Sequence, residues 1–379
     1  MTLIMHNIDP SGDLVVVLKK PNKYRVIPEV WINGEKTRGH VDRTDVETPK
    51  MPTGLGDSDV QMTEIEFRVS SKHLKLASVV FDKMLSGPWK EANCTSSLPA
   101  SEAEGQDMME LTGYADTFIG SIFDLSLPIP AVPVASDYWE ISTTGWHAHA
   151  FRVVLEVIHG QLRNLPEKVS LEFFTHVAVI ANYYHCTEAV SLAARFWRVW
   201  NKDIPTSYGK RSIMWLYISW VFSMPITFSN MLGLAVKDGL DLFNITTHDL
   251  PVATVLETAE AKRKKAILCL ITELAAIERK LIYGQLGCSQ KCRSMMIGSL
   301  ALEKQKNPHL VLKGENDCSS RISLSRVIHA VNSFGPIEWI DPASRFNGAH
   351  MCNVTQLMQP VIESVLQVTK LLQLSDFKK

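Results

Sequence analysis

Short apolar runs in the first half of the chain have the patterns of β-strands. Residues 14–18, with the sequence LVVVL, are uniformly apolar and rich in β-branched side chains, which is typical of a buried strand. In residues 64–69, EIEFRV, apolar and charged side chains alternate, which predicts a strand with one buried face. Residues 137–143 predict a third strand, with Trp139 and Ile141 on one face. These segments indicate a small sheet.

The pattern changes from strand to helix directly after the second of these segments. A helix is expected to start at Ser70 and Ser71 and to stop at Gly87. A second helix is expected to end at His159 and Gly160. The apolar positions are Leu74, Ala77, Phe81 and Met84 in the first helix, and Phe151, Val154, Leu155 and Ile158 in the second. We therefore expect the first half to be a mixed α/β domain.

The rest of the chain, from about residue 170, has helical periodicity without a competing strand pattern. Its three clearest apolar stripes are Ala189, Leu192, Ala193, Phe196 and Trp200; Ile267, Leu270, Ile271, Leu274 and Leu281; and Val354, Leu357, Met358, Val361, Val365, Val368 and Leu372. No fixed-period repeat is present, which argues against a solenoid or propeller. The predicted fold class is α+β: an α/β domain with long loop insertions, followed by an all-α C-terminal region.

Two polar segments rich in Pro and Gly interrupt the first half. They cover residues 21–63 and 94–136. Connections within compact domains are typically about 4–6 residues long, so both segments are expected to be flexible surface insertions.

One apolar stretch raises the question of a membrane span. Residues 212–236 contain no charged side chain. Pro225 is expected to break this stretch midway, and its dense part is shorter than the roughly 20 residues that a span requires. The sequence therefore predicts a buried helix followed by a turn, and no membrane partner.

Composition narrows the classes of function. The 379 residues carry a net charge of −1, which does not favour nucleic acid as a partner. The first residues of the sequence do not have the pattern of a secretory signal. The seven cysteines are irregularly spaced, which fits reduced thiols. We therefore expect an intracellular protein in the cytoplasm, the nucleus or both. The local motifs of nucleophilic hydrolases, zinc proteases, P-loop proteins and dinucleotide-binding proteins are missing, so a non-enzymatic role is expected.

Three segments, GDLVVVLKK, FRVSSKHLKLASVVFDKMLSGPWKEA and AFRVVLEVIHG, resemble the BTB/POZ domain in their order. In that family, a strand is followed by a helix with a His-Leu pair, an Ala-Ser step, an aromatic residue and a Met-Leu-x-Gly turn. The matching positions are His73, Leu74, Ala77, Ser78, Phe81, Met84, Leu85, Gly87, Trp89, Lys90 and Glu91. The segments VSLEFFTHVAVIANYYHCTEAV, IPTSYGKRSIMWLYISWVF and CSQKCRSMMIGSL further resemble BTB proteins of the fungal type.

This resemblance implies a BTB/POZ-like domain over residues 1–165, a helical extension over 166–205 and an all-helical domain over 206–379. BTB domains generally recruit another protein chain, often a second BTB chain or a cullin. Few residues precede Asp13, so the strand exchange of many BTB dimers is not expected, and the chain is predicted to be a monomer or a weak homodimer.

Two functions remain open. In the first, the protein is an adaptor that recruits a client to a cullin ubiquitin ligase, although Leu165-Pro166-Glu167 matches the cullin-binding signature only loosely. In the second, it is a nuclear regulatory scaffold or transcriptional co-regulator without a ligase. The basic run at residues 262–265 is interpreted either as a solvated helix face or as a nuclear-import signal.

Cys288, Cys292, His350 and Cys352 form the one Cys/His group with ligand-like local spacing. A C-x3-C pair that opens a helix places both sulfurs on one face, and an H-x-C pair can complete a tetrahedral site. Thiolate and imidazole ligands suit a structural zinc ion without an open position. The alternative is that these cysteines are free thiols, since cysteine is often buried without a metal.

Overall fold

The computed structural model describes residues 3–32, 35–36, 64–86, 139–201, 203–311, 322–335, 352–370 and 373–377. Within them the protein is mixed α/β and mostly helical. The strands are β1 (Leu3–Asn7), β2 (Leu14–Lys19), β3 (Glu29–Ile32), β4 (Glu35–Lys36), β5 (Glu64–Val69), β6 (Trp139–Thr144) and β7 (Ile245–Thr246). The helices are α1 (Ser71–Ala77), α2 (Val79–Ser86), α3 (Ala148–Ile158), α4 (Leu171–Tyr183), α5 (Thr187–Trp200), α6 (Lys210–Val221), α7 (Pro225–Asp238), α8 (Ala253–Ile282), α9 (Gln290–Lys306), α10 (Leu324–Asn332) and α11 (Val354–Lys370).

The larger sheet has four strands in the order β1-β5-β2-β6. Strand β2 lies between β5, to which it is antiparallel, and β6, to which it is parallel. Its first five residues are all buried, and β5 alternates between buried and half-buried positions. Both predicted strand patterns are therefore confirmed. The third predicted strand is confirmed as β6.

The helix that was predicted after β5 is broken into α1 and α2 at Ser78. This residue has an extended backbone, with φ −144° and ψ 116°. Its Oγ donates a hydrogen bond to the Tyr184 carbonyl and accepts one from the Phe81 N–H at 3.0 Å. Ser78 thus caps α2 while tying it to the end of α4. The Phe81 ring stacks on the Tyr184 ring, with centroids 4.4 Å apart.

Replacing Ser78 with Ala is expected to lower the free energy of unfolding by about 1–3 kcal/mol, because it removes a helix cap and a buried hydrogen bond together. Urea denaturation measures the change. Ser86→Ala is the matched control, since Ser86 is exposed and, within the part of the chain that the structure describes, its Oγ bonds to Asp82 of the same helix. Equal losses in the two variants would contradict this role for Ser78.

The start of α1 is held by residues distant in sequence. Asp13 accepts hydrogen bonds from the backbone N–H of Ser71 at 2.8 Å and from its hydroxyl at 2.6 Å. The N–H of Ser70 donates to His159 Nε2 at 2.9 Å. His159 follows α3, which ends where the sequence predicts, and Gly160 then adopts φ +71°. The sheet and α3 therefore position α1.

The uncharged residues 212–236 lie in two helices, α6 and α7, and in the short connection at residues 222–224. Residues 213–219 of α6 are buried, and Pro225 is the first residue of α7. This arrangement confirms the predicted buried helix and the break at proline, because proline lacks the N–H that the helix interior requires. Among the described residues, no helix is both long enough and apolar enough to cross a bilayer.

The three predicted apolar stripes differ in how much of each is buried. The stripe of α8 is buried as predicted. In α11, the buried positions are Val354, Met358, Ile362 and Val365, whereas Leu357 and Val368 of the predicted stripe are exposed and Leu372 lies outside the described residues. In α5 the predicted stripe is wrong for Leu192, Phe196 and Trp200, which are exposed, whereas Ala189 and Ala193 of the stripe do face the core. The other buried residues of this helix are Val190, Ala194 and Trp197. Periodicity alone did not decide which apolar side faces the core.

The buried apolar residues form two cores that meet within α8. The first core runs from Ile8 to Ala259 and also includes Leu374. The second runs from Ile267 to Val365. The first core therefore extends across the domain boundary that was predicted after residue 205. The division of the chain into three independent domains remains a prediction.

The segment 21–63, which was predicted to be an insertion, begins as part of this structure. Strand β3 pairs antiparallel with β7, joining the N-terminal segment to the region between α7 and α8. Val26 and Val30 are buried in the first core. The prediction of a loop is therefore wrong for residues 29–32 and 35–36. Strand β7, far along the chain, pairs with Glu29 and Val30, and β4 pairs with Trp31 and Ile32. Residues 37–63 and 94–136 lie outside the described residues.

Candidate metal centre

Three of the four residues in the Cys/His group lie together. The sulfur atoms of Cys288, Cys292 and Cys352 are all within 4.8 Å of one another. Cys292 is buried, Cys352 is half-buried and Cys288 is exposed. The fourth candidate, His350, lies outside the described residues. The cluster can hold a metal ion.

The first two cysteines meet across the start of α9. Ser289 is the N-cap of this helix and accepts a hydrogen bond from the Cys292 N–H at 3.2 Å. Cys288 therefore precedes the helix, and only Cys292 is inside it. The prediction that both sulfurs project from one helix face is wrong, because the helix begins only after Ser289 and Cys288 therefore lies outside it. The turn before α9 and the first residues of this helix nevertheless bring the sulfurs of Cys288 and Cys292 together.

The turn before Cys288 depends on glycine. Gly287 has φ +92°, and a Cβ at this position would come within 2.6 Å of the Arg293 side chain. Gly284, earlier in the same turn, has φ +75° and is also next to Arg293. Both positions favour glycine, which reaches the left-handed region without steric strain. The turn thus sets the direction in which Cys288 enters the cluster.

The third cysteine comes from the start of α11. The Asn353 side chain accepts a hydrogen bond from the Thr355 N–H at 2.9 Å, which caps this helix immediately after Cys352. The Thr355 hydroxyl lies 3.4 Å from the Val331 carbonyl at the end of α10. Cys352 is therefore held beside two helix junctions. The cluster joins the starts of α9 and α11, whose positive dipole ends favour thiolates.

The surroundings of Cys292 disfavour its thiolate in the absence of a cation. Burial is the main factor that raises the pKa of the Cys292 thiol, and side-chain hydrogen bonds with Cys352 and Cys288 raise it further. A backbone hydrogen bond at Cys288 lowers this pKa in part. In addition, Cys292 Sγ lies 3.7 Å from the thioether sulfur of Met296. A bound cation would reverse the balance, because a coordinating thiol loses its proton.

The separations fit a thiolate-bound metal after a small contraction. Zinc–sulfur bonds of about 2.3 Å in a tetrahedron place sulfurs about 3.8 Å apart. The observed limit of 4.8 Å is only slightly wider. Soft thiolate ligands select zinc or similar soft ions over magnesium or calcium. The described residues supply three such ligands.

The basic run at residues 262–265 is not a continuous surface. Lys262 and Lys265 are exposed, but Arg263 is fully buried. Its Nη1 donates to the Ile322 carbonyl at 2.5 Å, and its Nη2 lies 3.7 Å from the Glu260 carboxylate. The interpretation as a fully solvated face is therefore wrong for Arg263. This residue lies in α8 between the two cores.

A group of histidines that no sequence pattern predicts lies beside the larger sheet. Burial, and next the nearby His147, lowers the pKa of His176 to about 3. The two rings are 4.6 Å apart, and His147 Nδ1 accepts a hydrogen bond from the Ala150 N–H at the start of α3. Burial is also the largest cause of lowered pKa values at His6, His147, His149 and His159. No spacing in the sequence signals this group, because it is assembled from β1, α3 and α4.

Comparisons with protein-family models, with curated proteins and with solved structures found no match to this chain.

Proposed function

We propose that this chain is a non-enzymatic protein-interaction factor whose N-terminal half is a BTB/POZ-like domain. The order of elements from β2 through β5, α1, α2 and β6 to α3 supports this proposal, since it follows the order of the segments that resemble that family. The positions that match the family also have core roles here. Leu74, Ser78, Phe81 and Leu85 are buried.

The observation that carries the proposal is an apolar pair at the bend between α1 and α2. Leu76 is 89% exposed and Val79 is 58% exposed, although the residues on the opposite side of the same helices are buried. Lys72, Asp82 and Lys83 are exposed on these helices as well. Apolar side chains next to exposed charges fit a protein partner that presents an apolar contact with a charged rim. The extended backbone of Ser78 produces the bend that displays this pair.

The adaptor function predicts that the α1–α2 bend binds the amino-terminal domain of a cullin. Purified protein is expected to retain that domain in a pull-down at micromolar concentration. Changing Leu76 and Val79 together to Glu should weaken binding at least about tenfold, because it places two charges in the apolar contact.

The matched control is Leu302→Glu, which changes another exposed leucine on α9. It should leave cullin binding unaltered. If the unmodified protein does not bind at micromolar concentration, the ligase-adaptor function is wrong, and the regulatory scaffold without a ligase is the interaction function that remains.

For the cysteine cluster, we propose a structural zinc ion held by Cys288, Cys292 and Cys352, with His350 as the fourth ligand. Three clustered sulfurs at two helix starts support this choice, and four protein ligands leave no position for a reactive water. Metal analysis of protein purified without a metal-binding tag should find about one zinc per chain. Less than about a tenth of an equivalent would discard the site.

A further inference from the structure

The three clustered cysteines differ in how easily solvent reaches them. Cys288 is exposed and follows an exposed turn, whereas Cys292 is only 1% exposed and Cys352 is half-buried. A small solute can therefore reach the Cys288 sulfur, while two less accessible sulfurs lie within 4.8 Å of it. Cys288 also precedes the start of α9, and the positive end of a helix dipole favours a thiolate. An accessible thiol beside a second, resolving cysteine is the arrangement of a redox-sensitive site.

Cys292 is well placed to be the resolving cysteine for Cys288. The backbone N–H of Cys288 donates a hydrogen bond to the Cys292 sulfur, and the two side chains are hydrogen-bonded as well. Ser289 holds this geometry, because its hydroxyl accepts a hydrogen bond from the Cys292 N–H at 3.2 Å. A disulfide requires sulfurs about 2 Å apart, so they must approach by no more than about 3 Å. Rotation of the two side chains between rotamers supplies a movement of this size.

We propose that Cys288 and Cys292 form a dithiol that hydrogen peroxide converts into a disulfide. The Cys288 thiolate attacks one peroxide oxygen and the O–O bond breaks, which gives a sulfenic acid and a hydroxide ion that takes up a proton. The Cys292 sulfur then attacks the Cys288 sulfur. The S–S bond forms, the S–O bond breaks, and the hydroxyl group leaves with the Cys292 proton as water. The two thiols lose two electrons, which reduce the peroxide to two molecules of water.

This oxidation would control the proposed zinc site. The disulfide removes two of the four proposed ligands, because zinc binds thiolates and neither sulfur of a disulfide is one. Zinc should therefore leave when the disulfide forms and return when a dithiol reductant restores both cysteines. The release of zinc rests on the proposed zinc site, whereas the disulfide rests only on Cys288 and Cys292.

Peptide mapping of the full chain tests the disulfide. Metal-free and zinc-treated protein are exposed to a small molar excess of hydrogen peroxide, remaining thiols are blocked with N-ethylmaleimide, and the chain is cleaved with trypsin. Cleavage after Lys280, Lys291 and Arg293 separates Cys288 from Cys292. The oxidised samples should contain peptides 281–291 and 292–293 joined, with the summed mass less two hydrogens. A coloured chelator should detect about one zinc released per disulfide in the zinc-treated sample.

Three cysteines provide controls for the pairing. Cys292→Ser should leave Cys288 as a sulfenic acid that dimedone traps, and Cys352→Ser should still form the Cys288–Cys292 disulfide. In every sample, Cys269 is an internal control, since it is exposed on α8 and lies outside the cluster. It should not appear in a disulfide. The decisive measurement uses the unmodified protein and therefore does not depend on how the variants fold.

The outcomes separate this proposal from the zinc site. A Cys288–Cys292 disulfide in protein that holds no zinc supports the dithiol and discards only the metal. If zinc is bound but the metal-free protein keeps both thiols after peroxide treatment, the dithiol is wrong and the metal site stands. A disulfide between Cys288 and Cys352 in place of the expected pair would also overturn the proposal.

Discussion

Replacing Cys288 with Ser is expected to lower the free energy of unfolding of the second core by about 4 kcal/mol when zinc is present at about 1,000 times its Kd. Cys288 is exposed, so this substitution removes little packing. We expect this loss because a zinc ion held by the cluster would join the starts of α9 and α11, and a ligand that binds only the folded state stabilises that state. Thermal and urea unfolding, monitored with and without a strong chelator, measure the effect.

Cys269 provides a matched control for this measurement. It is also an exposed cysteine, on α8, and it lies outside the cluster. Cys269→Ser should change stability by no more than about 0.5 kcal/mol and should keep the full effect of the chelator. Chelation should destabilise the unmodified protein but not Cys288→Ser. Unchanged melting of the unmodified protein after chelation would show that these cysteines are free thiols.

Lowering the pH from 7 to 5 is expected to destabilise the protein by about 2 kcal/mol through His176 alone. Burial and the neighbouring His147 lower the pKa of His176 from 6.5 to about 3. The unfolded chain therefore takes up a proton at a pH where the folded state does not. The stabilising contribution is complete above pH 6.5 and is lost progressively as the pH falls towards 3.

The other histidines with lowered pKa values add to the same loss. At His159, burial is the largest cause of the lowered pKa. The geometry also defines the tautomer: Nε2 accepts from the Ser70 N–H, and Nδ1 donates to the Leu155 carbonyl 2.8 Å away. A proton on Nε2 would break the bond that holds Ser70 before α1. The ring must therefore be neutral for this contact to form.

His176→Phe tests the dependence on His176, because phenylalanine retains a ring but does not titrate. Urea unfolding at pH 7 and pH 5 should show a drop in stability that is smaller by about 2 kcal/mol than in the unmodified protein. His185→Asn is the control: His185 is exposed and has φ +50°, which asparagine tolerates. If His176→Phe and the unmodified protein lose the same stability at pH 5, the assignment to His176 is wrong.

Local physical chemistry determined much of the secondary structure from the sequence. The alternation in residues 64–69 and the apolar run at 14–18 predict their strands because a pleated strand exposes successive side chains to opposite faces. Pro225 marks a helix start because it has no N–H to donate within a helix. The cysteine spacing likewise identified three residues that the fold brings together.

Packing between distant segments decided the rest. Strand β3 forms because β7, far along the chain, pairs with Glu29 and Val30. Helix α1 ends at Ser78, whose hydroxyl donates a hydrogen bond to the Tyr184 carbonyl. The same holds for the burial of Arg263 within a basic run and for the outward direction of Leu192 on α5. A helix with two apolar sides satisfies the sequence pattern in either orientation, and only the shape of the core selects one. Local patterns along the chain therefore predicted most of the strands and helices and the side chains that suit a metal or the core. The remaining elements, and the choice of which side chains meet, depended on the fold, because those contacts join residues far apart in the chain.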